Sequence, residues 1–244
     1  MASYQLSTTQ LIAMAVAALA GVIRGITGFG GAMVLTPPLA LLLGPRLAIP
    51  IVLLLEAFAG APMMRDAARR ATWRTLTPIT LAAFATIPLG GYVLVHADQD
   101  LLRRAIAAIV VIFALLLLKG YRYGGARGLP ASVSAGAVAG TMLGAAGIGG
   151  PPVVLYLLSG PDPVHVTRAN LTLYVAFSSI GALTMLALRG ILDMTALAST
   201  LLLAPLYFIG VLLGGKLFVR FSDKRYRQLT LVLLLAVSTF IMLA

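Results

Sequence analysis

The chain contains no cysteine, and among its 244 residues only seven are acidic and two are histidine. The absence of cysteine excludes disulfides, a thiolate metal site and a thiol nucleophile, and two scattered histidines do not form a zinc site. Charged residues make up 10% of the chain, against about 25% in a typical soluble protein. With 60% hydrophobic residues and a mean hydropathy of +1.02, the chain is predicted to be a polytopic membrane protein rather than an enzyme.

The basic surplus has a simple topological interpretation. A net charge of +11 would suit nucleic acid, but the basic residues fall in short loops between apolar runs, which is the distribution of cytoplasmic loops in membrane proteins. Three loops are strongly basic: 65–74, 119–127 and 220–227. We therefore expect these loops in the cytoplasm and no nucleic-acid partner. Residues 1–10 carry no basic side chain, so no cleavable secretion signal is predicted.

Apolar runs occupy most of the remaining chain, and several approach the ~20 residues needed to cross a ~30 Å hydrocarbon core. The runs are 11–23, 32–43, 47–64, 76–95, 101–118, 129–146, 151–158, 169–188, 194–219 and 228–244. The short members of this set flank two glycine-rich breaks. Their length is insufficient for an ordinary membrane span.

The two breaks carry the same motif. Residues 21–31 read GVIRGITGFGG and residues 140–150 read GTMLGAAGIGG, with all five glycines matching at one offset (147 − 28 = 119). Prolines follow both copies, at 37–38 and at 151–152. A duplicated, glycine-interrupted membrane segment indicates the binding site of a transporter.

Because an even number of crossings must separate loops on one side of the membrane, the segment 129–158 must either enter and return as a hairpin or make two thin crossings; one broken span is excluded. We predict a kinked hairpin there, with arms at 129–146 and 151–158. A matching hairpin is predicted at the start of the chain, with arms at 11–23 and 32–43. Eight residues of helix reach only ~12 Å, which agrees with a hairpin arm.

The two halves also match beyond the glycine motifs. Residues 89–91 and 213–215 both read Leu-Gly-Gly, at an offset of 124, yet the basic loop precedes this sequence in the first half and follows it in the second. Equivalent helices should therefore run in opposite directions. The predicted fold class is an all-α polytopic membrane protein with two inverted repeats of about five helical segments each, and a glycine-broken hairpin opens each repeat. The repeats are 1–118 and 129–244, the cytoplasmic linker is 119–128, and both termini lie outside.

A helix that starts after a glycine-rich break offers unpaired backbone N–H groups, and helix N-termini bind anions. We expect the two starts to meet near the middle of the membrane and to hold one small anion. The predicted glycine contacts are Gly28, Gly30, Gly31, Gly147, Gly149 and Gly150. The other four glycines have small-xxx-small spacing, which favours helix packing; they are Gly21, Gly25, Gly140 and Gly144.

Two charged side chains stand inside apolar segments. Arg24 is a predicted substrate ligand, because an intramembrane arginine is a functional hypothesis by default; the alternatives are that it snorkels to a surface or pairs with an acid. The second repeat has Leu143 at the matching position. Glu56, the only glutamate, is a coupling candidate for protons, a structural partner of Arg24, or an interfacial residue.

Hydroxyl groups complete the set of candidates. Thr27 is also a predicted substrate contact, although its hydroxyl and those of Thr36, Thr141, Ser178 and Ser179 could equally bond the preceding helical turn. Arg168, Asn170 and His165 are expected either to line a cytoplasmic entrance or to lie in a plain loop, and the loop is the favoured interpretation.

The motifs at 28–37 and 147–152, in a chain of this length and hydropathy, resemble the sulfite exporter TauE/SafE family of membrane anion permeases over essentially the whole sequence. The resemblance implies a secondary transporter for a small sulfur-containing anion (sulfite, thiosulfate or an organosulfonate) in the bacterial inner membrane. It implies alternating access without a cofactor or metal, and it leaves proton or ion coupling and a homo-oligomeric state open. The alternative functions are an anion channel and, less favoured, an intramembrane enzyme.

Overall fold

The computed structural model describes residues 7–119, 123–125 and 128–218, and over these residues the protein is all-helical, with ten helices and no strand. The helices are α1 (Thr8–Thr27), α2 (Gly31–Leu43), α3 (Pro45–Ala59), α4 (Ala61–Arg70), α5 (Trp73–His96), α6 (Gln99–Leu118), α7 (Leu129–Ala146), α8 (Gly150–Leu158), α9 (Val164–Leu188) and α10 (Met194–Phe218). The predicted loop 220–227 and apolar run 228–244 lie outside the described residues.

Five of these helices are long and apolar enough to cross a membrane: α1, α5, α7, α9 and α10. The bent pair formed by α3 and α4 would make a sixth span. In contrast, α2 has 13 residues and α8 has nine, so at 1.5 Å per residue they reach only about 20 and 14 Å. The all-helical, multi-pass part of the prediction is confirmed.

The prediction of one apolar run at 47–64 followed by a basic loop at 65–74 was wrong. The chain bends by 60° after Ala59, and α4 continues as a helix to Arg70. Pro62 explains the break, because proline lacks an N–H and is tolerated in the first turn of a helix. The arginines of this segment therefore project from a short helix, with Arg65, Arg69 and Arg70 exposed.

Two helix pairs have the most extensive contacts, α1 with α10 and α5 with α7. Both pairs approach through glycine. A Cβ atom at Gly21 would lie 2.1 Å from the Tyr207 carbonyl oxygen, and one at Gly140 would lie 2.3 Å from the Ala83 carbonyl oxygen. Gly25 and Gly144 are equally confined, at 2.2 and 2.3 Å from backbone oxygens of the facing helix. Close helix packing is therefore the role of these four glycines.

Candidate functional site

Both glycine motifs end one helix and begin another. Gly28 caps α1 with φ at 79°, and Gly30 precedes α2 with φ at 87°. In the second copy Gly147 caps α7 with φ at 68°, and α8 begins at Gly150. Left-handed backbone of this kind costs glycine little and other residues more, so the glycines permit two helix breaks within apolar sequence.

The two new helices begin without any side-chain cap. The first four N–H groups of a helix have no acceptor within it. In α2 these groups belong to residues 30–33, and all four residues carry an N–H. In α8 they would belong to residues 149–152, but Pro151 and Pro152 have none. The α2 end therefore presents twice as many backbone donors as the α8 end.

Both helix starts open onto one cavity. It is lined by Gly30 and Met33 from the first break, and by Gly147, Gly149 and Gly150 from the second. A Cβ placed on Gly150 would lie only 3.8 Å from the Phe29 ring, so the two breaks lie side by side. The centre of a water-sized sphere can move through about 20 Å³ of this space, so the cavity is small.

A buried ion pair forms one wall of the cavity. The Nε atom of Arg24 donates to the Glu56 carboxylate over 2.7 Å, with the side chains 0% and 2% exposed. The hydroxyl of Tyr207 donates to the other carboxylate oxygen over 3.0 Å. Glu56 lines the cavity, which places Arg24 and Tyr207 behind it. Burial excludes both the snorkelling arginine and the interfacial glutamate, and Glu56 is the partner of Arg24.

The guanidinium of Arg24 is only partly satisfied. Its Nη1 atom donates to the Gly28 carbonyl, which ties the side chain to the end of its own helix. Its Nη2 atom is buried without a hydrogen-bond partner. A buried charged donor without a partner is costly, so this atom is the unsatisfied donor of the ion pair.

Gly31 has no room for a side chain because the ion pair lies against it. A Cβ at this position would lie 2.3 Å from the Glu56 carboxylate and 2.4 Å from the Tyr207 hydroxyl. The start of α2 therefore packs directly on the buried acid and its tyrosine.

The opposite wall is made by α9, which contributes Tyr174, Val175, Ser178 and Ser179. The Ser178 hydroxyl donates to the Tyr174 carbonyl over 2.6 Å. The hydroxyls of Tyr174 and Ser179 are buried and have no hydrogen-bond partner. Buried hydroxyls normally find partners, so these two are available to a guest in the cavity.

The family model for the sulfite exporter TauE/SafE matches residues 13–241. This chain belongs to the TauE/SafE family. The prediction of the family is thereby confirmed, and the chain is a membrane protein of a transporter family. Comparisons with curated proteins and with solved structures each found no match.

The predicted contacts occupy two layers in this TauE/SafE protein. Residues that line the cavity are Glu56, Gly30, Gly147, Gly149 and Gly150. Residues that stand behind this lining are Arg24, Thr27, Gly28 and Gly31. The Thr27 hydroxyl is 2.7 Å from the Ile23 carbonyl oxygen and accepts from the Phe29 N–H over 3.2 Å. This threonine therefore shapes the break itself.

The prediction that Arg168 lies in a loop was wrong, because α9 already begins at Val164 after Pro163. From the first turns of α9, Arg168 donates to the carbonyls of Gly25 and Ile26 at distances of 2.5 and 3.2 Å. These carbonyls belong to the last turn of α1, where the carbonyl groups receive no hydrogen bond from an N–H group of the same helix. Arg168 thus connects the C-terminal end of α1 in the TauE/SafE protein to α9 by hydrogen bonds.

The neighbouring polar residues differ in their surroundings. Asn170 is buried and its side-chain oxygen accepts from the Thr72 N–H over 2.8 Å, whereas His165 is exposed. Within the described ranges, no group of three or more histidine or acidic residues could hold a metal ion.

Two residues of the site were missed by the sequence analysis, Tyr174 and Tyr207. Both are aromatic residues within apolar helices, where packing is the ordinary interpretation. The sequence did contain a signal for Tyr207. At the offset of 124 its counterpart is Ala83, so the two repeats differ at this position, as they do at Arg24 and Leu143.

Proposed function

We propose that this TauE/SafE protein is a secondary carrier that moves a small sulfur-containing anion across the membrane by alternating access. The anion is held between the amino ends of α2 and α8. The observation that supports this proposal best is the convergence of two uncapped helix starts and two unpartnered hydroxyls on one cavity. Helix N-termini and hydroxyls bind a negative charge without fixing it as firmly as a cluster of arginines would, which suits a cargo that must be released.

The helix contacts support two inverted repeats. Gly21 and Gly140, at the offset of 119, each face the carbonyl of a residue at the offset of 124, namely Tyr207 and Ala83. The first helix of each proposed repeat therefore packs on the same kind of helix from the other repeat. In this arrangement the basic segments 65–74, 119–127 and 220–227 face the cytoplasm of a bacterial cell, and the two hairpins enter from opposite sides.

The size of the cavity supports an occluded conformation. The free space is small, with about 20 Å³ open to the centre of a water-sized sphere, so we expect the site to widen when the cargo enters. A widening that opens the cavity to one side at a time is alternating access. The closely packed pairs α1–α10 and α5–α7 are suited to move as two rigid units, because their backbone contacts at glycine leave no space for one helix to slide along the other.

Ligand-induced stabilisation tests the proposal on purified protein. We expect sulfite, thiosulfate or small sulfonates to raise the melting temperature, because a ligand present at 100 times its Kd stabilises the folded state by about 2.7 kcal/mol. Carboxylates of similar size serve as comparison anions. Stabilisation by cations or neutral solutes alone would contradict an anion site.

Variants of the unpartnered hydroxyls make this test specific. Tyr174→Phe and Ser179→Ala remove buried groups that have no partner, so the empty protein should be unchanged or more stable, while the shift caused by the anion should shrink. Tyr156→Phe is the matched control. Its hydroxyl bonds the Ser132 side chain at 2.7 Å away from the cavity, so its loss should lower stability and leave the response to the anion intact. The reverse pattern would remove α9 from the site.

An anion channel is the second candidate, and flux measurements separate the two. A carrier gives flux that saturates with substrate, whereas a channel gives currents proportional to the driving force. We expect saturation, because the proposed site holds one anion at a time between the two helix starts. Activity as an intramembrane enzyme would require a nucleophile and a base at the cavity, where the side chains supply one carboxylate and hydroxyls.

A further inference from the structure

Glu56 occupies the position through which an anion in the cavity would reach Arg24. The carboxylate lines the cavity and binds the Nε atom of Arg24 over 2.7 Å, while Arg24 itself stands behind it. The start of α2 also packs on this carboxylate, since Gly31 lies against it. The empty protein therefore already holds an anion beside the proposed site, and that anion is its own side chain.

The charges of the buried ion pair sum to zero. Arg24 contributes one positive charge and Glu56 one negative charge, both nearly inaccessible to solvent. If a substrate anion entered and both side chains stayed charged, a net negative charge would be buried between helices in the membrane. Uncompensated charge in such surroundings is expensive, so we expect an anion to enter more readily when the carboxylate of Glu56 is neutralised.

We propose that the substrate anion and one proton bind together, with the proton on Glu56. Protonated Glu56 releases Arg24, and the substrate anion takes its place as the partner of the guanidinium, whose Nη2 atom has no partner in the empty state. The buried charge is then zero both with and without cargo. This inference rests on the proposed carrier function and deepens it: the cargo travels as a monoanion with one proton, and the cycle moves no net charge.

The groups around Glu56 agree with this assignment. Its hydrogen-bonding and ionic partners among the described residues are Arg24 from α1 and Tyr207 from α10. Across the cavity, α9 presents the neutral side chains of Tyr174 and Ser178, and α2 presents Gly31. Among the described residues, no second carboxylate lines the cavity, so Glu56 is the acid available there to carry the proton.

The second repeat has no equivalent pair. At the offsets of 119 and 124, the counterparts of Arg24, Glu56 and Tyr207 are Leu143, Val175 and Ala83. Leu143 and Val175 line the same cavity, and neither can titrate. The repeat symmetry thus predicts a single proton site for each binding event, which fixes the ratio of protons to monoanions at one.

Methanesulfonate is a suitable probe, because its charge stays at −1 over the whole working pH range. When one proton must bind with each anion to a carrier whose Glu56 is ionised, the apparent Kd rises tenfold for each unit of pH. We expect this slope in the wild-type protein. In proteoliposomes, we expect one proton to move with each methanesulfonate, at a rate that an imposed membrane potential does not change. Thiosulfate, with a charge of −2, should bind more weakly than methanesulfonate because one excess charge remains.

Glu56→Gln mimics the protonated carrier. Because Arg24 then lacks a counter-charge, the variant should bind methanesulfonate at least tenfold more tightly than the wild type at neutral pH, and its Kd should not depend on pH. It should exchange internal for external anion but fail in net uptake, since the empty form has an unpaired arginine. Asp66→Asn is the control, an acid-to-amide change at an exposed pair with Arg70, and it should leave the slope and the uptake unchanged.

The outcomes separate the inference from the function on which it rests. If no sulfur-containing anion binds the wild-type protein, the carrier proposal fails. If anions bind with a Kd that is independent of pH, or if Glu56→Gln still moves protons with the anion, or if thiosulfate binds as tightly as methanesulfonate, the carrier stands and the proton on Glu56 is refuted. Should Glu56→Gln fold poorly without ligand, the wild-type slope and proton count still decide the question.

Discussion

Two adjacent glycines of α10 should respond in opposite ways to alanine. Gly214 faces α1, and a Cβ there would lie 2.2 Å from the Val22 carbonyl oxygen and 2.9 Å from the Ile26 nitrogen. Gly215 points away, and no atom of the described residues lies within 4 Å of a Cβ placed there. The chain thus contains a substitution and its control one residue apart, in one helix and of one chemical type.

The magnitude follows from the geometry. Ordinary contact begins near 3.4 Å, so Gly214→Ala must move α1 and α10 apart by about 1 Å (3.4 − 2.2 ≈ 1.2), and overpacking of this kind costs about 1–3 kcal/mol. Alanine also gains about 1 kcal/mol over glycine in a helix, but both variants share this gain. The difference between the two free energies of unfolding is therefore about 1–3 kcal/mol, with Gly215→Ala the more stable protein.

Reversible unfolding in mixed micelles, with detergent as the denaturant, measures this difference. Transport by the same two variants shows whether the pair α1–α10 must stay in close contact during the cycle. Equal stability of the two variants would mean that the helix pair relaxes freely. The units α1–α10 and α5–α7 could then not be regarded as rigid.

Four further substitutions, grouped in three predictions, test other parts of the protein. Arg168→Gln removes charged hydrogen bonds to the end of α1 and should lower stability by about 1–3 kcal/mol and slow transport, measured by unfolding and flux; retained flux would show that the fastening is not needed. Arg24→Met and Glu56→Gln should each cost about 3–5 kcal/mol in unfolding experiments, but the double variant should cost less than the sum, and strict additivity would contradict the buried pair. The hydrogen bond from the Leu101 N–H holds the pKa of Asp98 below its ordinary 3.8. The stability that this exposed cap contributes is therefore present above pH 3.8 and is lost as the pH falls through the lowered pKa. The melting temperature of Asp98→Asn should depend less on acid pH than that of the wild type, and an unchanged dependence would exclude this cap as its source.

Much of the architecture could be predicted because it depends on local chemistry. Glycine at 28 and 30 and at 147 permits left-handed backbone, and apolar sequence on both sides fixes the short arms, so the two breaks follow from the chain alone. The bend at Gly60 was missed because the apolar run continues through it, although Gly60-Ala61-Pro62 carried the signal for a new helix.

The site itself depends on contacts between distant residues. Glu56 and Tyr207 are 151 positions apart, and nothing in either helix alone shows that they meet. The pairing of Arg24 with Glu56 was one of several open alternatives, because the charge of each is visible in the sequence while the direction of each side chain is not. The offset between the repeats was the available route to Tyr207, since it marks the positions where one half departs from the other.

The placement of the ion pair in one half bears on how such a chain could have arisen. A pair of identical half-length subunits would surround the cavity with two arginines and two glutamates, or with leucine and valine on both sides. The first ancestor would need two protons for two resident acids, and the second would have no fixed charge to offer. Fusion of the halves into one polypeptide removes this constraint, because each half can then mutate alone, and the cavity can keep a single acid facing an uncharged wall.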